Sequence, residues 1–181
     1  MSRDRALDTA VRAYIADRHI GAVVAARWLR WSQADAAALL DIAEALALGS
    51  NQLGELTEWL EDIAARDALG PAAVLGAAEI RGILAAPLGR SDKLKRVKAR
   101  VRAVRYPRIA ALERNLDADV RALDLGPGVT VRFPPGLEGD EVTVEVRVRR
   151  AAQLRDAVER LARALDAGGF DRVFSRLDEA T

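Results

Sequence analysis

Cysteine is absent from the 181 residues, histidine occurs once (His19), and only eight residues are aromatic. Without cysteine there is no disulfide framework, no thiolate zinc site and no thiol nucleophile. With so few rings the core has to be assembled from Ala, Leu and Val, leaving Trp28, Trp31 and Trp59 as its few large pieces. That composition favours helices. Long apolar runs are lacking too: no stretch approaches the roughly 18 to 20 residues of a membrane span, and no signal-like run follows Met1-Ser2-Arg3-Asp4-Arg5. The expectation is a cytoplasmic protein, nucleoid-associated if it binds DNA, with no membrane partner.

Half of the residues are apolar and 30% are charged, a globular balance with room for one medium or two small domains. The formal net charge of +1 hides a polarised chain. Residues 90–108 hold nine cations (Arg90, Lys93, Lys95, Arg96, Lys98, Arg100, Arg102, Arg105, Arg108) against Asp92, a net +8 that leaves −7 for the rest. All the lysines of the protein lie in this stretch.

Apolar spacing of three and four predicts helices over 4–17, 21–29, 33–48 and 50–67, with Ser32 and Ser50 as caps and Gly49 as a stop. Leu39, Leu40, Ala43 and Leu46 line the third helix, and Leu53, Leu56, Leu60 and Ile63 the fourth. Gly70-Pro71 breaks the pattern, and Gly76 and Gly82 divide 72–86 into one or two short helices. Pro87-Leu88-Gly89 marks the expected domain boundary. The basic helix follows, with a narrow stripe of Leu94, Val97, Val101 and Val104. Beyond Pro107 a helix carries Ile109, Leu112, Leu116, Val120 and Leu123 on one side.

After Gly126-Pro127-Gly128 the period changes from 3.6 to 2. Val129, Val131 and Phe133 alternate with polar residues, as do Val142, Val144, Val146 and Val148, which predicts an antiparallel hairpin. A last amphipathic helix sets Leu154, Val158, Leu161 and Leu165 toward the sheet and closes at Gly168-Gly169; the tail 170–181 is expected to add one weak turn at most. Two strands are marginal alone and no third is offered, so a second copy is expected to cover the apolar residues. The expected homodimer interface is Val129, Val131, Phe133, Val142, Val144, Val146, Val148, Leu154, Val158 and Leu161.

Catalytic machinery is missing from the sequence. His19, after Asp17-Arg18, reads as a helix C-cap. Gly168-Gly169 follows a helix and Gly126-Pro127-Gly128 has no lysine beside it, so neither makes a phosphate loop. The acid pairs Glu61-Asp62 and Asp178-Glu179 are sequence neighbours that diverge on a helix. The expectation is no enzyme, no catalytic residues, no metal and no cofactor. The basic helix has two readings: nine cations for a phosphate backbone, or a face compensated by acids such as Glu55, Glu58, Glu61 and Asp62. Neutralising about six phosphates predicts a log-log salt slope near −5. Arg132, Arg147 and Arg149 offer a second basic surface or, equally, ordinary solvated strand alternation. The three tryptophans are core residues or, as a third reading, a small-molecule pocket.

Several short stretches stand in a familiar order: Asp17-Arg18-His19-Ile20 leading to Ala25-Ala26-Arg27, Leu46-Ala47-Leu48-Gly49-Ser50-Asn51-Gln52, Ile63-Ala64-Ala65-Arg66-Asp67, Arg105-Tyr106-Pro107-Arg108-Ile109 and Phe133-Pro134-Pro135-Gly136-Leu137-Glu138-Gly139. The chain resembles the C-terminal portion of bacterial ParB-like chromosome-partition proteins, and its helix-strand-strand-helix order over 108–167 is similar to their dimerisation domain. The resemblance implies a sheet-based homodimer and, as in some members, non-specific DNA contact. The family's arginine-rich nucleotide-binding domain has no counterpart in these residues, and its recognition helices would lie at or before residue 1. CTP hydrolysis and recognition of a centromere site are therefore not carried over. Leu137 stands where an aromatic residue is expected and Ile109 where leucine is.

The expected fold is α+β and mostly helical: an all-α bundle over 1–89, a basic connecting helix over 90–106, and an α-β-β-α dimerisation domain with an antiparallel hairpin over 107–181. The expected function is weak, sequence-nonspecific DNA binding by a homodimer through the nine cations. The alternative is a protein-interaction module or accessory subunit that does not bind DNA.

Overall fold

A computed structural model of the chain describes residues 2–137, 139 and 141–178; Glu179 of the acid pair lies outside them. The fold is mostly helical α+β, with ten α-helices and one two-stranded antiparallel sheet among the described residues. None of these helices is long and apolar enough to cross a membrane. The chain forms two compact units, Met1–Arg105 and Tyr106–Thr181.

The first unit contains α1 (Ser2–Asp17), α2 (Ala22–Trp28), α3 (Gln33–Leu46), α4 (Ser50–Asp67), α5 (Pro71–Leu75), α6 (Ala78–Ala85) and α7 (Arg90–Arg105). The leucine stripes of α3 and α4 are its centre: Leu39, Leu53, Leu56, Leu60 and Ile63 are fully buried together with Trp28. Ser32 caps α3 as expected, its hydroxyl accepting from Asp35 N–H at 3.2 Å. Asp35 then uses a carboxylate oxygen to accept from Ala72 N–H at 2.7 Å, which ties the start of α5 to the start of α3.

The stop of α3 falls earlier than Gly49. Ala47 takes the left-handed conformation (φ 50°), Leu48 N–H donates to Ala43 O and Ala47 N–H to Glu44 O, the paired bonds of a Schellman closure. Leu46 and Leu48 on either side are buried, and their burial holds an alanine where glycine is the usual choice. Tyr14 of α1 completes the junction, with its hydroxyl 2.8 Å from Ala43 O and 2.9 Å from Leu48 O. His19 is likewise left-handed (φ 50°) and closes α1 through its backbone N–H to Ala16 O. Gly49, freed from stopping α3, is the N-cap of α4, while Ser50 accepts from Gly21 N–H at 2.9 Å.

The basic helix is no connector. Val97 and Val101 are fully buried in the first unit's core, and α7 packs on α3, α4 and α6, so Pro87-Leu88-Gly89 is a turn inside the unit and the boundary lies after Arg105. A narrow stripe of four residues is enough to seat a helix when its neighbours leave a groove for it.

The second unit contains α8 (Pro107–Ala122), β1 (Val129–Arg132), β2 (Thr143–Val146), α9 (Ala151–Asp166) and α10 (Gly169–Asp178). The hairpin pairs Val129 with Val146 and Val131 with Val144, the alternation expected, in strands of four residues each. Gly128 (φ 90°) is required at its entry, because a Cβ there would lie 2.6 Å from Arg147 O.

Three expectations for this unit are corrected. The tail is a ten-residue helix, not a weak turn: Phe170, Val173 and Leu177 recur at helical spacing and are buried against Leu116 and Leu123. Val129, Val131, Phe133 and Val142 pack on this same core, so part of the face assigned to a second copy is covered by its own unit. Finally, α9 turns Ala157 and Ala164 inward, with Leu161 half-buried, and leaves Leu154, Val158 and Leu165 exposed. Two alanines seven residues apart let the helix lie closer than its leucines would.

Candidate nucleic-acid interface

Helix α7 is the electrostatic centre of the first unit. Its stripe Leu94, Val97, Val101 and Val104 packs into the core of the unit, where α7 meets α3, α4 and α6, and cations take up much of the remaining circumference. The structure divides the nine into two groups. Lys93, Lys98, Arg100, Arg102 and Arg105 are half-buried, whereas Arg90, Lys95, Arg96 and Arg108 are exposed, the last in the first turn of α8 in the second unit.

The half-buried group is largely held by its own chain. Lys98 Nζ lies 2.5 Å from Glu55 Oε2, and Arg105 Nη2 lies 2.5 Å from Asp62 Oδ2 and 3.6 Å from Glu58 Oε1. Both cations sit over the ring of Trp59, at 5.8 and 6.0 Å from its centroid. Glu55 and Asp62 are seven residues apart on α4, as are Lys98 and Arg105 on α7, so the helices run side by side in the same direction with matched charges. At the shared end Arg66 of α4 donates to Val104 O at 2.8 Å and to Arg105 O, capping the C-terminus of α7. Its other side clasps Asp67, and this hydrogen bond holds the carboxyl below its ordinary range. Arg100 pairs with Glu79 at 3.0 Å, and Lys93 Nζ donates to Leu84 O.

The compensating acids are thus Glu55, Glu58 and Asp62 as expected, with Glu79 in addition. Glu61 serves elsewhere, accepting from Trp31 Nε1 at 3.0 Å and pairing with Arg27 at 3.1 Å. The seven-residue match between α4 and α7 was readable in the sequence. The Glu79 pair was not, since it needs the turn at 86–89 to bring α6 against α7.

One cavity adjoins α4 and α7, and another lies among α1, α2 and the start of α3. An open cleft of about 440 Å³ is lined by Leu46, Ala47, Gln52, Arg90, Ser91 and Leu94, which places exposed Arg90 at its rim. A second of about 160 Å³ is lined by Trp28 and Trp31 with Leu7, Asp8 and Val11. Trp59 lies under Lys98 and Arg105 and does not line this cavity, so the three tryptophans do not form one pocket. On the hairpin, Arg132 reaches Glu145 diagonally across the strands at 3.0 Å and Arg147 reaches it along the same strand at 2.7 Å, which matches ordinary solvated strand alternation; the Arg147 hydrogen bond holds Glu145 below its ordinary range. Arg149 is exposed. Among the described residues no three His, Asp or Glu side chains converge in a metal-binding group.

In comparisons with known proteins, no family model matches the chain, and no curated protein or solved structure matches it.

Proposed function

We propose that the chain is a non-enzymatic, ParB-like DNA-binding protein that acts as a homodimer and contacts phosphates weakly, without sequence preference, through Arg90, Lys95 and Arg96. One observation carries the reading: after five cations of residues 90–108 have been drawn inward, three stay exposed within the first two turns of α7, with Asp92 the one acid among them. Phosphate contacts of this kind position a protein on a duplex and carry no base readout. Pairing with Glu55, Glu79 and Asp62 removes Lys98, Arg100 and Arg105 from the phosphate-binding set, so the binding surface is smaller than nine cations suggest. Self-association belongs to the second unit, whose sheet has two strands and whose Val144 and Val148 remain exposed.

Retention of a labelled random duplex at low and moderate salt tests the reading. The wild type should bind at low salt and release as salt rises, and the triple variant R90E/K95E/R96E, with its helicity intact by circular dichroism, should not bind. Equal retention by the two proteins rejects the assignment. A second reading, a module that docks on an acidic protein, is favoured by the carboxylates that α7 already holds. It predicts no duplex binding at either salt concentration.

A further inference from the structure

Helix α9 wears its residues in an unusual order. A helix on the surface of a monomer buries its large apolar side chains and exposes small or polar ones. Here Ala157 and Ala164 are buried, while Leu154 is 46% exposed, Val158 55% and Leu165 59%. With half-buried Leu161 these residues fall at spacings of four, three and four, the repeat of a seam between two helices. An apolar stripe three turns long on a soluble chain marks a contact surface.

The charges beside the stripe say what fits it. Arg155 and Asp166 are both exposed and flank the same edge of the stripe, one near each end of α9. In a parallel pair the edge that carries Arg155 and Asp166 would meet the partner's other edge, where Ala157 and Ala164 are buried in their own unit, whereas like edges meet only in an antiparallel pair. An antiparallel copy sets Arg155 toward the partner's Asp166 at both ends and opposes the two helix dipoles favourably. We infer that α9 is the element of self-association, and that its seam is filled by α9 of a second copy running antiparallel, with Leu154 in layer with the partner's Leu165 and Val158 with the partner's Leu161. This rests on the homodimer reading above and adds a helical seam to the exposed valines of the hairpin.

The full chain has no cysteine, so introduced thiols report geometry without background. Sedimentation at about 20 µM should give twice 19.6 kDa, and Val158→Asp or Leu165→Asp should raise the dissociation constant at least about tenfold at unchanged helicity, since each side chain is exposed in the single chain. Under mild oxidation, chains carrying L154C mixed with chains carrying L165C should cross-link, and either alone should not. A monomeric wild type overturns both the homodimer reading and this inference. A dimer that neither aspartate weakens overturns the seam alone, and a dimer linked by L154C or L165C alone overturns its antiparallel direction.

Discussion

Lys98 lies 2.5 Å from Glu55, so a lysine that the sequence offers to an outside polyanion is already held by an anion of its own chain. Partly exposed pairs of this kind contribute about 0 to 1 kcal/mol to stability. Their larger effect is on function, because each one subtracts a cation from the binding surface. Removing the acid should return it. Glu55→Gln and Glu79→Gln are each expected to strengthen duplex binding at low salt and to steepen the log-log salt slope by about 0.9. An unchanged slope in both variants would mean that Lys98 and Arg100 stay out of reach once released.

Ala47 occupies the left-handed closure of α3. A non-glycine residue there costs about 1 to 2 kcal/mol, and glycine recovers part of this at the expense of a more flexible unfolded chain. Ala47→Gly should therefore raise stability by about 0.5 to 1 kcal/mol in denaturant titration. The same substitution at Ala43, in regular helix, should lower it.

The Tyr14 hydroxyl serves two carbonyls at the end of α3. Tyr14→Phe should cost about 0.5 to 1.5 kcal/mol. Burial raises the Tyr14 phenol above its ordinary value. Its contribution is therefore complete below about pH 10 and lost as pH rises through the folded value, because the unfolded chain gives up the proton first. The Phe variant should show a flatter alkaline limb in a plot of melting temperature against pH.

Acid should act in the opposite sense on Asp67 and Glu145. Both carboxyls are held below their ordinary range, chiefly by hydrogen bonds from Arg66 and Arg147. Their contribution is present above the ordinary carboxylate range and lost as pH falls through the lowered folded values. Melting temperature should be level near neutrality and decline below about pH 4. R66Q and R147Q should each soften that decline, and an identical acid limb in either variant would remove the corresponding pair from the account.

How much of this was legible in the sequence depends on what each residue had to meet. The stripes of α3 and α4 and the hairpin alternation state their own buried face, and Val129 does pair with Val146. The acids Glu55, Glu58 and Asp62 are among those the sequence offers as compensation, and the seven residues between Glu55 and Asp62 repeat the seven between Lys98 and Arg105. What failed were choices between two apolar faces. Helix α9 offers leucines and alanines, and periodicity alone assigns the leucines inward; Gly169, where a Cβ would lie 2.5 Å from Leu123, shows how close this unit packs and why the alanine side fits. For the tail 170–181 the sequence predicts one weak turn at most, yet Phe170, Val173 and Leu177 find a core that only the tertiary arrangement with α8 supplies.

Salt dependence of duplex binding tests the central claim most directly. With Arg90, Lys95 and Arg96 as the phosphate contacts, log-log slope for one engaged chain should be about −3, and R90E/K95E/R96E should abolish the binding. A slope near −8, as all nine cations would give, or binding that survives the triple reversal, would contradict the division of the basic helix into an outward set and a set already held.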